Sequence, residues 1–233
     1  GAYRILAGNG YQPKSLTGSY KFTADPPVAV VASVYNRSEI NSETKQSYGS
    51  GMSEWCANCH DKFLENAYVS GAPGHRHPAG NSAKLTGGWS AELGAAMPIY
   101  QNYNQYVTSG IMNATATANY TTLVPFETGD TTFSAASTNA NLGAGLAATA
   151  TSNVMCLSCH RAHASGFPSM TRWNNEAEMM TLIASNGTIT YQSNPVKSSG
   201  LSPSQTQRAL YERPASVFGA YARVLCNKCH AKD

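Results

Sequence analysis

All six cysteines of this 233-residue chain lie in three pentapeptides of one form: Cys56-Ala-Asn-Cys59-His60, Cys156-Leu-Ser-Cys159-His160 and Cys226-Asn-Lys-Cys229-His230. Cys-x-x-Cys-His is the attachment sequence of c-type haem: the two thiols add to the porphyrin vinyl groups and the adjacent imidazole meets the iron from one face. Three such runs arise by chance with a probability on the order of 10⁻⁷. Zinc is the first alternative, but it takes four ligands from two Cys pairs, which three pairs each followed by His fit poorly. Redox pairs or structural disulfides leave the repeated histidine unexplained.

Three haem irons have six axial positions, and the chain has six histidines: His60, His160 and His230 within the motifs, and His75, His77 and His163 outside them. The matching count predicts bis-histidine ligation of every iron, with no open position for a substrate. The competing sixth ligand is methionine, and none of the seven sits at a position that singles it out. Met155 merely precedes a motif, and Met179 and Met180 read as the buried face of a helix. The two axial ligands of one iron lie on opposite porphyrin faces, so histidines two or three residues apart cannot sandwich one ring. His163 must therefore serve a haem other than that of His160, and His75 and His77 must serve different irons. If all ligation is internal, the haem of His160 takes its distal ligand from His75 or His77. Short segments thereby tie haems together in close pairs.

Covalent haem attachment takes place beyond the cytoplasmic membrane, which predicts an exported protein. The start at Gly1-Ala2-Tyr3, without Met, is read as a processed mature chain or a fragment. The longest apolar run, Val28 to Val34, falls short of the roughly 20 residues of a membrane helix. Only 12% of residues are charged and the formal net charge is +3. With no Lys/Arg cluster, nucleic acid is excluded as a partner.

The expected fold is a coil-rich multihaem cytochrome c with few short helices at the haem motifs, minor short strands, and a core organised around stacked haems. Residues 1–50 form a haem-free scaffold or contact segment with strand-like pieces at Tyr3–Ala7, Ser19–Thr23 and Val28–Tyr35. Residues 51–233 form the trihaem domain. A helix over 53–69 carries the first motif, and the Gly/Pro-rich turn from Gly71 to Pro78 presents His75 and His77. Residues 96–155 read as short strands and coil. Capping-box patterns predict one helix from Asn175 and Glu178, closing at Asn186-Gly187, and another from Ser202, Pro203 and Gln205, ended by Pro214. A last helix, Ser216–Cys229, presents the third motif. Trp55, Trp89 and Trp173 read as walls against the porphyrins.

Several stretches carry a resemblance: Cys156-Leu-Ser-Cys-His-Arg-Ala-His-Ala-Ser165, Gly74-His-Arg-His-Pro-Ala-Gly-Asn81, Leu123-Val-Pro-Phe-Glu127 and the terminal Leu225 to Asp233. From about residue 50 onward the chain resembles the extracellular multihaem c-type cytochromes of metal-reducing bacteria, whose members polymerise into haem-stacked filaments called cytochrome nanowires. The resemblance implies a coil-rich protein with bis-histidine haems in alternating parallel and T-shaped stacks. It also implies that a histidine of one subunit can ligate a haem of the next, with His75 or His77 as the candidate donor here. Family members carry more haems than the three predicted for this chain.

The function expected on these grounds is electron transfer as a subunit of an extracellular conductive filament, without enzymatic activity. Its partners are identical subunits, redox partner cytochromes and an extracellular acceptor such as an oxidised mineral. The alternatives are a monomeric periplasmic trihaem carrier and an oxidoreductase with one open haem site. Each ferric haem adds roughly one net negative charge once its two propionates ionise, which brings the formal +3 to about zero. A near-neutral surface lacks the net repulsion that keeps copies apart.

Overall fold

The computed structural model describes residues 6–14, 18–30, 47–64, 77–86, 98–109, 124–129, 148–162, 164–194, 196–198, 200–224 and 226–230. Regular structure there is sparse. The helices are α1 (Met52–Ala57), α2 (Ile99–Ser109), α3 (Cys156–Cys159) and α4 (Pro203–Ala209). Two antiparallel pairs join β1 (Ala29–Val30) to β2 (Ser47–Tyr48) and β3 (Thr181–Ile183) to β4 (Ile189–Tyr191). Short 3₁₀ turns at Asp61–Phe63, Pro168–Met170, Ala215–Phe218 and Cys226–Lys228 complete the set. The fold is coil-rich, as its Gly, Ser, Thr and Asn content dictates.

Lone backbone bridges do the work of a sheet. Tyr48, Glu127, Asn153 and Lys84 are joined in succession by isolated β-bridges, so four distant segments meet at one junction. The bonds are of ordinary length and reciprocal: Glu127 N–H donates to the Asn153 carbonyl at 3.1 Å and Asn153 N–H returns one at 2.9 Å. From this junction the chain runs directly into α1 on one side and α3 on the other, which places the first two motifs side by side. An apolar core including Leu85, Tyr103, Val154, Trp173, Met180 and Val224 lies beneath. Within it Tyr103 of α2 stands edge-on to Phe126, with centroids 4.9 Å apart.

The N-terminal segment is sewn to the first motif by polar contacts. Asn58 Oδ1 accepts from Thr23 N–H and Ala24 N–H at 2.8 and 3.0 Å, its Nδ2 donates to the Ala24 carbonyl, and Trp55 Nε1 donates to the Ala7 carbonyl. Ser19–Thr23 forms no strand; it is held by single bonds such as Phe22 N–H to the Tyr11 carbonyl. Of Val28–Tyr35 only β1 and the Val28 before it are described, and Tyr3 to Ile5 lie outside the described residues.

Other expectations give way to the structure. The first helix ends at Ala57 rather than running to 69, because the backbone turns at His60 (φ −122°, ψ 47°); residues 65–69 lie outside the described residues. Within 96–155, expected as strands and coil, stands α2. Its signal is Pro98 followed by Ile99, Tyr100, Tyr103, Tyr106 and Val107 at helical spacing. The helix expected from Asn175 is instead the β3–β4 hairpin. Asn186-Gly187 is its turn, Gly187 adopting φ 81°, and the β-branched flanks pair Thr181 with Tyr191 and Ile183 with Ile189. Met180 is buried as expected and Met179 only half-buried, and both lie on non-helical backbone, the Met180 N–H donating to the Ala222 carbonyl.

The Ser202 capping box forms as read, with Ser202 Oγ accepting from Gln205 N–H and Gln205 Oε1 accepting from Ser202 N–H. The helix stops well before Pro214, where Tyr211 and Glu212 turn left-handed (φ 60° and 58°). The last expected helix, Ser216–Cys229, is replaced by two 3₁₀ turns, with non-helical backbone over residues 219–224. Thr181 pins that stretch: its Oγ1 donates to the Gly219 carbonyl and accepts from Ala222 N–H.

Candidate functional site

Each motif folds into the same backbone loop. In all three, the histidine N–H donates to the carbonyl of the first cysteine: His60 to Cys56 at 3.1 Å, His160 to Cys156 at 2.9 Å, His230 to Cys226 at 2.9 Å. One helical turn therefore sets both thiols on the same side and leaves the imidazole at its end. All six thiols are free of disulfides. The imidazoles of His60 and His160 are exposed or nearly so, and that of His230 is half-buried. No group of three or more His, Cys, Asp or Glu among the described residues is arranged to chelate a bare metal ion. Paired free thiols on one turn, followed by an imidazole, fit covalent haem c and do not fit zinc.

The motifs lie against one another. Cys156 N–H donates to the buried Ser53 Oγ of α1 at 3.1 Å. The Cys56 and Cys156 thiols interact, which with Ser53 holds the Cys156 thiol down at about 6 and drives that of Cys56 up. Burial pushes the Cys159 thiol up to about 11 and the Cys229 thiol to about 12. Cys159 also feels the charge of Cys226, and Cys229 that of Cys159. The second motif thus stands between the first and the third. Trp173 carries the fully buried Lys228 ammonium 5.1 Å over its ring, and is an internal wall beside the third motif. Trp89 lies outside the described residues.

Two histidines have their tautomer fixed. His160 Nδ1 lies 2.8 Å from the Ser169 carbonyl, and His77 Nδ1 lies 2.8 Å from the Pro78 carbonyl. A carbonyl can only accept, so each proton sits on Nδ1 and the Nε2 lone pair is left for a metal. Ser169 reaches this position by taking a left-handed φ of 54°, with Met170 following at 55°. Nothing in the sequence marks Ser169 or Ser53 as supports. His77 is exposed, and its ring stands 6.3 Å from that of His230, centroid to centroid, with the planes 72° apart. His75 and His163 lie outside the described residues.

No protein-family model matches the chain. A curated relative does: the C-type cytochrome OmcS of Geobacter sulfurreducens, 48% identical over 237 aligned residues that include all of this chain and 52% of the relative. The chain is homologous to OmcS. Two solved structures agree over the full chain, each through 55% of its own length. An Outer Membrane Cytochrome S Filament from Geobacter sulfurreducens superposes with a TM-score of 0.69 at 46% identity, and the OmcS nanowires of that organism with 0.68 at 45%. The chain spans about half the length of the relatives it matches. That relative is named as a c-type cytochrome, and covalent haem c is the group that the three loops of this chain fit.

Proposed function

We propose that this chain transfers electrons through three covalently bound bis-histidine c haems, as a subunit of an extracellular conductive filament built from identical copies, and that it is not an enzyme. The single observation that carries this reading is the repetition of one Cys-x-x-Cys-His loop at three places that the fold then brings together. The filament form rests on likeness to solved structures that are themselves described as a filament and as nanowires. No helix among the described residues is long and apolar enough to cross a membrane.

In this reading Cys56 and Cys59, Cys156 and Cys159, and Cys226 and Cys229 each hold one porphyrin. His60, His160 and His230 are the proximal ligands, and His75, His77 and His163 supply the distal positions. A haem so ligated exchanges one electron at its iron without an open coordination site. The protein fixes position and environment. His160 is held in its ligating tautomer by the Ser169 carbonyl, and the junction of Tyr48, Lys84, Glu127 and Asn153 sets the first two loops beside one another.

The test is a haem count by mass and pyridine haemochrome, ferric spectra, and electron microscopy of secreted material. Three haems per chain, all low-spin, and filaments of uniform width are expected. A high-spin haem would revive a catalytic centre and overturn the all-histidine reading, and a monomer at high concentration would overturn the filament.

A further inference from the structure

His77 and His230 belong to remote parts of the sequence, yet the fold brings their ring centroids to 6.3 Å, with the planes 72° apart. We infer that His77 is the distal axial ligand of the haem attached at Cys226 and Cys229, opposite His230; this assignment rests on the bis-histidine reading above and specifies it. Metal–imidazole bonds are about 2 Å long and each ring centre lies about 1.2 Å behind its ligating nitrogen, so two imidazoles on one iron have centroids about 6.3 Å apart. The observed separation is that distance. The orientation of His77 agrees, since its Nδ1 proton is engaged by the Pro78 carbonyl and Nε2 is the nitrogen left to bind. The surroundings agree as well. His77 is exposed and His230 half-buried, so a porphyrin between them has one face toward the protein and one toward solvent.

The 72° angle between the ring planes has a spectroscopic consequence. Near-perpendicular axial imidazoles leave the iron d orbitals almost degenerate, and the ferric low-spin signal in electron paramagnetic resonance then becomes strongly anisotropic. One of the haems should show that signal, and it should disappear when His77 is replaced.

The decisive experiment counts carbon monoxide sites per chain in the reduced holoprotein of the wild type, His77→Ala, His230→Ala and the double variant. The wild type should bind none and His77→Ala one. Adding His77→Ala to His230→Ala should create no further site, whether or not the third haem stays attached in that background. A further site in the double variant would mean that the two histidines serve different irons and would overturn the pairing, as would His77→Ala binding none. His77→Met guards against misfolding: it should give one sulfur-ligated haem of raised potential, and an unchanged set of potentials would count against the assignment. A wild type that itself binds carbon monoxide refutes the bis-histidine reading, whereas a closed wild type with an indifferent His77 variant refutes the pairing alone.

Discussion

Glu127 sits at the junction that orders the first two haem loops, and it is fully buried. Its Oε1 accepts from Met52 N–H at 2.6 Å, at the start of α1, while its buried Oε2 makes no hydrogen bond. Desolvation is the main reason its carboxyl is pushed from 4.5 up to about 7; the Met52 N–H pulls it back, and the nearby Glu54 charge raises it further. An unfolded chain ionises this group at about 4.5 and the folded protein at about 7. Between those values the unfolded state holds fewer protons, so the folded state loses stability as pH rises through the window. The shift corresponds to about 3 kcal/mol of stability, fully present below pH 4.5 and lost above pH 7.

Glu127→Gln keeps an oxygen for Met52 N–H and removes the titration. The variant's stability relative to wild type should therefore climb by about 3 kcal/mol from pH 4 to pH 8. Guanidinium unfolding of the oxidised holoprotein at both pH values, followed by circular dichroism, measures it. Haem propionates and other titrating groups contribute equally to both proteins and cancel in the difference. A difference that stays constant with pH within about 1 kcal/mol would refute the claim that Glu127 is protonated in the fold.

Other substitutions test the supports separately. Asn58→Ala strands three backbone groups of the N-terminal segment and should cost about 2–4 kcal/mol, with new proteolytic cleavage near Thr23 as the first sign. Gly166→Ala drives a methyl into Ala209 of α4 and should cost about 1–3 kcal/mol, read from the thermal midpoint. Ser169→Gly relieves a left-handed backbone while keeping the carbonyl that orients His160; stability should rise by about 1 kcal/mol with the haem potentials unchanged in a redox titration.

What is legible in the sequence is what contiguous residues decide. The Ser202 cap is spelled out by four residues and forms as read, and each Cys-x-x-Cys-His run closes the same local turn although the longer helices expected around the first and third do not form. The stretch from Asn175 to Gly187 defeats a local reading because Asn175 and Glu178 carry a helix signal. The tie-breakers lie elsewhere in the chain: Thr181 bonds to Gly219 and Ala222, and Val224 N–H donates to the Glu178 carbonyl. Those partners are about 40 residues away, and no window on the sequence contains both sides. The Tyr48, Lys84, Glu127 and Asn153 junction is illegible for the same reason: each residue contributes only one or two bridges, which leaves no periodicity to detect.

Under the proposed bis-histidine ligation, spacing and geometry together order the haems. Spacing bars His163 from the haem of His160 and parts His75 from His77. If His77 ligates the haem of His230 as inferred above and all ligation is internal, His75 is left for the haem of His160 and His163 for that of His60. The segment 75–77 then bridges the second and third haems, and the segment 156–163 bridges the first and second. The placement of the thiols agrees, with Cys156 against Cys56 and Cys159 within reach of the charges of Cys226 and Cys229. In such a chain each neighbouring pair of irons is linked through a peptide of only a few residues, so their separation is governed by covalent geometry more than by core packing. Loosening the apolar core should therefore lower stability well before it changes the rate of electron exchange between haems, whereas moving a histidine by one residue should change that rate in a protein of unaltered stability.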